Sequence, residues 1–194
     1  MSVKEQFQYS SYDHYIKTQT KIASKTKQRT INKEEQIKEV AKMLSSLFPN
    51  AKKVLCIGAR HPVEVTSFQN AGFSAIGIDL VETLPNIIKC DMAKMYKNSM
   101  LQKRKPFDII YMSHSLEHCL NIEGLLQGIQ WSGGTVLYIR VPIKNNPKKW
   151  DCTLLEFMLP NGNPNTIEEL FAGWTLKEFT QLRGEKVFIL EKRK

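Results

Sequence analysis

The stretch Lys53–Asp79 sets the narrowest limits on what this chain can fold into. It opens with an apolar run, Val54-Leu55-Cys56-Ile57, stopped at Gly58. A short apolar run ending in glycine reads as a strand buried on both faces. Pro62 follows, and proline is favoured at the first helical position, where its missing N–H has no partner to lose. Val63, Phe68 and Ala71 recur at helical spacing until Gly72 stops the helix. A second apolar run, from Ser74, ends on the carboxylate of Asp79. The unit is strand, turn, helix, strand, with an acid at the tip of the second strand. Asp79 stands roughly 20 residues after Gly58, the separation at which an acid meets a ribose in dinucleotide folds. The pattern predicts a nucleoside-bearing ligand across the carboxyl ends of two parallel strands.

The rest of the chain extends this unit. Asn32 with Glu35 outlines a capping box, and Ile37, Val40, Ala41, Leu44, Leu47 and Phe48 form the apolar stripe of a helix over 33–48. Beyond Asp79, Ile87–Asp91 reads as a third strand ending on an acid, and Ala93–Leu101 as a helix. Phe107–Met112 is a fourth strand, followed at its carboxyl end by Ser113-His-Ser-Leu-Glu-His118. Leu120–Trp131 is helical, Gly133-Gly134 turns the chain, and Thr135–Val141 is a β-branched fifth strand. Residues 142–165 are rich in Pro, Asn and Gly and predict a long loop over the site, with a helical turn at Leu154–Met158. A short helix from Thr166 to Phe171 precedes two runs, Trp174–Gln181 and Lys186–Lys192, spaced as a β-hairpin. This order predicts a doubly wound α/β sheet with an antiparallel end and helices on both faces. Ligands in such sheets sit at the carboxyl ends of the strands.

Composition bounds the partners. The 194 residues suit one domain able to bury a full core. No apolar stretch has the length of a membrane span, and Met1–Tyr15 shows no apolar signal region, which predicts a cytoplasmic protein. Cys56, Cys90, Cys119 and Cys152 form no Cys-x-x-Cys pair and read as free thiols in a reducing compartment. The net charge of +9 points to an anionic partner. The expected organisation is a basic N-terminal arm or lid over 1–32, carrying Lys17, Lys21, Lys25, Lys27 and Arg29, and a single domain over 33–194.

The runs KVLCIGAR, AIGIDL, IIKCDM, FDIIYMSHSLEH and GGTVLYIRVP, in this order, resemble a class I, Rossmann-like, S-adenosylmethionine-dependent methyltransferase from about Ala51 to Val141. The terminal hairpin resembles the end of that family's seven-stranded, mostly parallel sheet. The resemblance implies S-adenosylmethionine as cofactor. It places Gly58, Ala59 and Arg60 at the methionine end, Asp79 on the ribose hydroxyls and Leu80 beside the adenine. Asp91 and Met92 fall at the adenine amino group, and Ser113 and His114 flank the methionine end. The chain departs from the family where Cys56 stands in place of an acid and where Ala59, Arg60 and Pro62 replace further glycines. Arg60 either pairs with the methionine carboxylate or crowds the cofactor.

Several residue types remain open to two readings. His114 can serve as a general base, because imidazole titrates near neutrality, or can pack against cofactor or loop. His114 and His118 lie four apart, yet no metal is expected, since the helical metalloprotease pattern is absent. Glu64 is expected to face solvent or a loop, and the cysteines to be buried small apolar groups. Trp131 and Trp150 are read first as packing residues and second as substrate lining. The basic residues at Lys17–Arg29 and at Lys144, Lys148 and Lys149 fall on the ligand side, which favours an anionic acceptor: RNA, a nucleotide or a phosphorylated small molecule. Methyl transfer needs mainly alignment, so the lack of a clear acid–base pair does not count against it. Two other functions fit the same sequence. One is a non-catalytic Rossmann-like module with a degenerate cofactor site, holding nucleic acid or a protein partner. The other is a dinucleotide-dependent oxidoreductase, against which the missing Gly-x-Gly-x-x-Gly and the hairpin argue.

Overall fold

The computed structural model describes residues 11–31, 34–81, 84–143, 165–182 and 184–193. Helix α1 (Tyr12–Ile31) and helix α2 (Glu34–Leu47) precede strand β1 (Lys53–Ile57). Helix α3 (Pro62–Asn70), strand β2 (Ser74–Asp79) and strand β3 (Ile87–Lys89) follow. A 3-10 helix at Met92–Lys97 leads into α4 (Ser99–Gln102), and β4 is Ile109–Ser113. A second 3-10 turn, Leu116–His118, leads to α5 (Ile122–Ser132) and β5 (Val136–Pro142). Helix α6 (Asn165–Leu170), β6 (Trp174–Leu182) and β7 (Glu185–Lys192) complete the described elements.

The strands form one seven-stranded sheet in the order β3-β2-β1-β4-β5-β7-β6. β1 pairs in parallel with both β2 and β4, and β7 lies antiparallel between β5 and β6. The doubly wound sheet with its antiparallel hairpin is therefore the one expected from the sequence. The reversal of strand order falls between β1 and β4, which opens a crevice at their carboxyl ends.

Side-chain alternation along β1 builds two cores. Leu55 and Ile57 face one side, with Met95, Leu101, Leu125 and Ile129 from the 3-10 segment, α4 and α5. Val54 and Cys56 face the other, with Ala41 and Leu44 of α2 and Val65 and Phe68 of α3. A strand apolar on both faces needs cover on both, which is why β1 reads as a continuous apolar run. Asp108 fixes the bottom of the sheet, its Oδ2 accepting the backbone N–H groups of Lys52 at 2.7 Å and Lys53 at 2.8 Å.

Two local expectations change. Ala93–Leu101 is a 3-10 helix followed by one α-helical turn, with Asn98 capping the second piece through its side chain. β3 stops at Lys89, two residues before Asp91. The stretch expected to be an arm or lid carries the 20-residue helix α1. The helical turn expected at Leu154–Met158 and the loop lysines at 144, 148 and 149 lie outside the described residues, as do Trp150 and Cys152.

Candidate active site

The turn after β1 is the floor of the crevice. Gly58 has φ +75°, a left-handed conformation that side chains rarely adopt. The backbone N–H groups of Gly58 and Ala59 both donate to the Ile78 carbonyl, at 2.8 and 3.0 Å, drawing the turn against β2. A Cβ on Gly58 would stand 2.5 Å from Ser115 Cβ, so the glycine lets the turns after β1 and β4 close on each other. His61 caps α3, its Nδ1 accepting the Val63 N–H at 3.3 Å, and Pro62 takes the first helical position as expected.

Asp79 ends β2 and is 5% exposed. Its Oδ1 accepts the Val81 N–H at 2.9 Å, and its Oδ2 lies 3.8 Å from Arg60 Nε. Leu80 beside it is half-buried. Arg60 also donates from its guanidinium to Gln19 Oε1 of α1 at 3.2 Å. Asp91 caps the 3-10 helix through Oδ1, which accepts the Ala93 N–H at 2.9 Å, and Met92 is half-buried at its side.

Ser113 and His114 lie at the carboxyl end of β4. His114 takes φ +52°, an uncommon conformation for a residue with a side chain. Its Nε2 lies 2.9 Å from Glu185 Oε1 and its Nδ1 3.6 Å from Glu117 Oε1. The Arg140 guanidinium in turn donates to Glu185 Oε2, at 2.9 Å from Nε and also from a terminal nitrogen. Both ring nitrogens of His114 thus face carboxylates.

Two features of the site were not legible in the sequence. The first is the burial of Glu64, which faces the loop after β1, one of the two settings expected for it, and is only 8% exposed. It accepts the backbone N–H groups of Arg60 and His61. Burial, with the nearby charge of Asp79 adding to it, raises its carboxyl to about 8, while Arg60 and the two backbone donors oppose the rise. Only its position at the start of α3, among apolar residues, hinted at this. The second is the set of side chains that seat α1 across the crevice, where an arm or lid was expected. Tyr12 donates to Asp91 Oδ2 at 2.8 Å, Tyr15 to the His118 carbonyl at 2.7 Å, and Gln19 receives Arg60. These residues share one helical face and reach the segments that follow β3, β4 and β1. Burial and the Asp91 hydrogen bond push the Tyr12 phenol above its ordinary range.

Cys90 is half-buried rather than buried as expected, and the thiols of Cys90 and Cys119 donate to the Asp91 and Asn121 carbonyls at 3.4 and 3.3 Å. Cys56 and Cys119 are buried, and burial raises all three described thiols: Cys90 to about 11, Cys119 to about 12, and Cys56 well above its ordinary value. Trp131 packs against the core with Lys105 Nζ 4.7 Å from its ring centre, at the end of the sheet away from the crevice. Among the described residues no group of His, Cys, Asp and Glu is arranged to hold a metal.

These donors and acceptors suit a nucleoside. A buried carboxylate at the tip of β2 suits a ribose diol, and a second carboxylate after β3 suits an exocyclic amine. The sequence matches the methyltransferase domain family over residues 28–175. The chain belongs to that family. It has the class I fold of the S-adenosylmethionine-dependent methyltransferases.

Solved structures agree on the fold. The 1,6-didemethyltoxoflavin N1-methyltransferase of Burkholderia thailandensis, solved with 1,6-didemethyltoxoflavin and S-adenosylhomocysteine, is similar with a TM-score of 0.70 at 15% identity. The similarity covers 97% of this methyltransferase and 93% of that chain. A methyltransferase from Archaeoglobus fulgidus, described as dependent on S-adenosylmethionine, gives a TM-score of 0.53 at 16% identity, over 82% of this chain and 94% of that one. No curated protein matches in sequence. The family match and the antiparallel β6–β7 pair set this methyltransferase apart from the dinucleotide-dependent oxidoreductases considered above.

Proposed function

We propose that this methyltransferase binds S-adenosylmethionine across the carboxyl ends of β1, β2 and β4 and delivers its methyl group in line to an acceptor over β4 and β5. The observation that carries this reading is Asp79. It is a buried acid at the tip of β2, one strand from the Gly58 turn, in a chain of the methyltransferase family. In this reading Asp79 holds the ribose hydroxyls, with Leu80 beside the adenine. Asp91 and Met92 hold the adenine amino edge. Gly58, Ala59 and Arg60 hold the methionine end, with Ser113 and His114 flanking it. Arg60 lies within ion-pairing distance of Asp79, so it can turn toward a methionine carboxylate without leaving the site.

When bound, the sulfonium supplies an activated methyl group. The protein's own contribution is alignment and exclusion of water. Glu64 braces the turn from below through the Arg60 and His61 amides. Helix α1 acts as the lid, and the domain over 33–194 carries the site. No helix among the described residues is long and apolar enough to cross a membrane, and a cytoplasmic location with reduced thiols is proposed with the rest. The net charge of +9, with Lys17 and Lys21 exposed on α1, supports an acceptor with an anionic portion, such as RNA, a nucleotide or a phosphorylated small molecule.

Calorimetric titration with S-adenosylmethionine and S-adenosylhomocysteine tests the reading. Micromolar binding is expected. Asp79→Ala removes two hydrogen bonds to a charged acceptor, about 1.5 kcal/mol or more each, and weakens binding at least about tenfold. A folded wild-type protein that binds neither compound would shift the function to a non-catalytic module.

A further inference from the structure

The turn after β4 carries a carboxylate that cofactor binding leaves unused. Glu117 is 3% exposed, and among the described residues its Oε2 meets no hydrogen-bond donor. Its Oε1 lies 3.6 Å from His114 Nδ1, too far for a good hydrogen bond. Its neighbour Glu185 is in the opposite condition, with Oε1 at His114 Nε2 and Oε2 at the Arg140 guanidinium. Both oxygens of Glu185 therefore have a partner, while among the described residues Oε2 of Glu117 has none. Ser115 Oγ, on the same turn and also buried, likewise meets no partner among the described residues. Buried polar atoms without partners are costly, so a carboxylate oxygen and a hydroxyl left together point to a ligand that can donate to them.

Their place in the sheet says which ligand this is. Asp79 and Asp91 follow β2 and β3, on one side of β1. His114, Glu117, Arg140 and Glu185 belong to β4, β5, β7 and the turn after β4, on the other side. The ribose and adenine are drawn to the first side, so the second is left to the acceptor. The left-handed backbone of His114 holds its ring between the two carboxylates and keeps the arrangement fixed.

We propose that Glu117 anchors the reacting end of the acceptor, and that this end is an N–H group of a protonatable nitrogen compound: an amine, an amidine or an amino-heterocycle. The inference rests on the cofactor reading above. It places any phosphate of the acceptor away from the reacting atom, toward the lysines. In the transfer, the nitrogen lone pair forms the N–CH3 bond as the sulfur–methyl bond breaks, and the electron pair of that bond stays on sulfur. The N–H proton passes to the Glu117 carboxylate. His114, Glu185 and Arg140 are positioning residues for Glu117 and Ser115.

Benzamidine and benzoate, one shape with opposite charge, are the probes. Each is titrated into protein saturated with S-adenosylhomocysteine, with the His114 ring signals followed by NMR. Benzamidine is expected to bind at least about tenfold tighter than benzoate and to shift the His114 signals. Glu117→Gln is expected to bring the two within about threefold while S-adenosylhomocysteine affinity changes less than about twofold. Equal binding, tighter benzoate binding, binding of neither, or a preference that survives in Glu117→Gln would overturn the proposal. If Glu117→Gln does not fold, the wild-type comparison decides alone. Failure of S-adenosylhomocysteine to bind strikes the cofactor reading instead, and the two failures are separable.

Discussion

At the scale of single residues, the site is held by a few groups in costly states. Gly58 combines φ +75° with the 2.5 Å approach that a Cβ would make to Ser115. Gly58→Ala is expected to destabilise the fold by about 1–3 kcal/mol, read as a lowered midpoint in urea. Glu64 gives a pH signature. Its carboxyl is raised to about 8 in the folded state from an ordinary value near 4.5, so the folded state holds a proton that the unfolded chain releases. The stabilising contribution is full below about pH 4.5 and is lost as the pH rises through about 8. Glu64→Gln keeps a carbonyl for the Arg60 and His61 amides but cannot ionise. Its stability relative to wild type should rise between pH 5 and pH 8, with about 4 kcal/mol as a ceiling. A flat difference across that range in denaturant titrations would contradict the buried, raised carboxyl. Asp79, at a strand tip, was legible in the sequence because a strand end and a spacing locate it. Glu64 was not, because α3 buries Val63, Glu64, Val65, Ser67 and Phe68, a set that follows no single helical face.

At the scale of elements, strands and amphipathic helices were legible and polar contacts were not. The apolar runs of β1, β2, β4 and β5 and the stripe Ile37, Ala41, Leu44 of α2 carry their own periodicity. Helix α1 has no such stripe. Its docking rests on Tyr12, Tyr15 and Gln19, and Gln19 is as buried as a core residue. Polar anchors 3 and 4 residues apart look like an ordinary solvated helix until their partners on other elements are known. The 3-10 segment after Asp91 departs from the expected single helix for a related reason: its short pieces are set by the side-chain caps of Asp91 and Asn98, not by an apolar period. Helix α1 should therefore behave as a separable lid. Replacing its anchors together, by Tyr12→Phe, Tyr15→Phe and Gln19→Ala, is expected to speed amide exchange over 12–21 at least about tenfold and leave β1 and β4 protected. Equal exchange in the variant and the wild type would show that α1 is held by something other than these contacts.

At the scale of the whole molecule, strand order separates two sets of polar side chains. The β3-β2-β1 side presents Asp79 and Asp91, and the β4-β5-β7 side presents His114, Glu117, Arg140 and Glu185, with the Gly58 and Ser115 turns meeting between them. The fold persists at 15% identity to a solved methyltransferase, so what individualises this protein lies in its side chains rather than its sheet. A crystal structure of the S-adenosylhomocysteine complex tests this division most directly. The ribose hydroxyls should lie within hydrogen-bonding distance of Asp79, with the adenine toward Asp91 and the sulfur pointing past Gly58 toward the Glu117 side. Ligand bound elsewhere, or bound in the crevice with Asp79 still turned to Arg60 and no contact to the ribose, would contradict it.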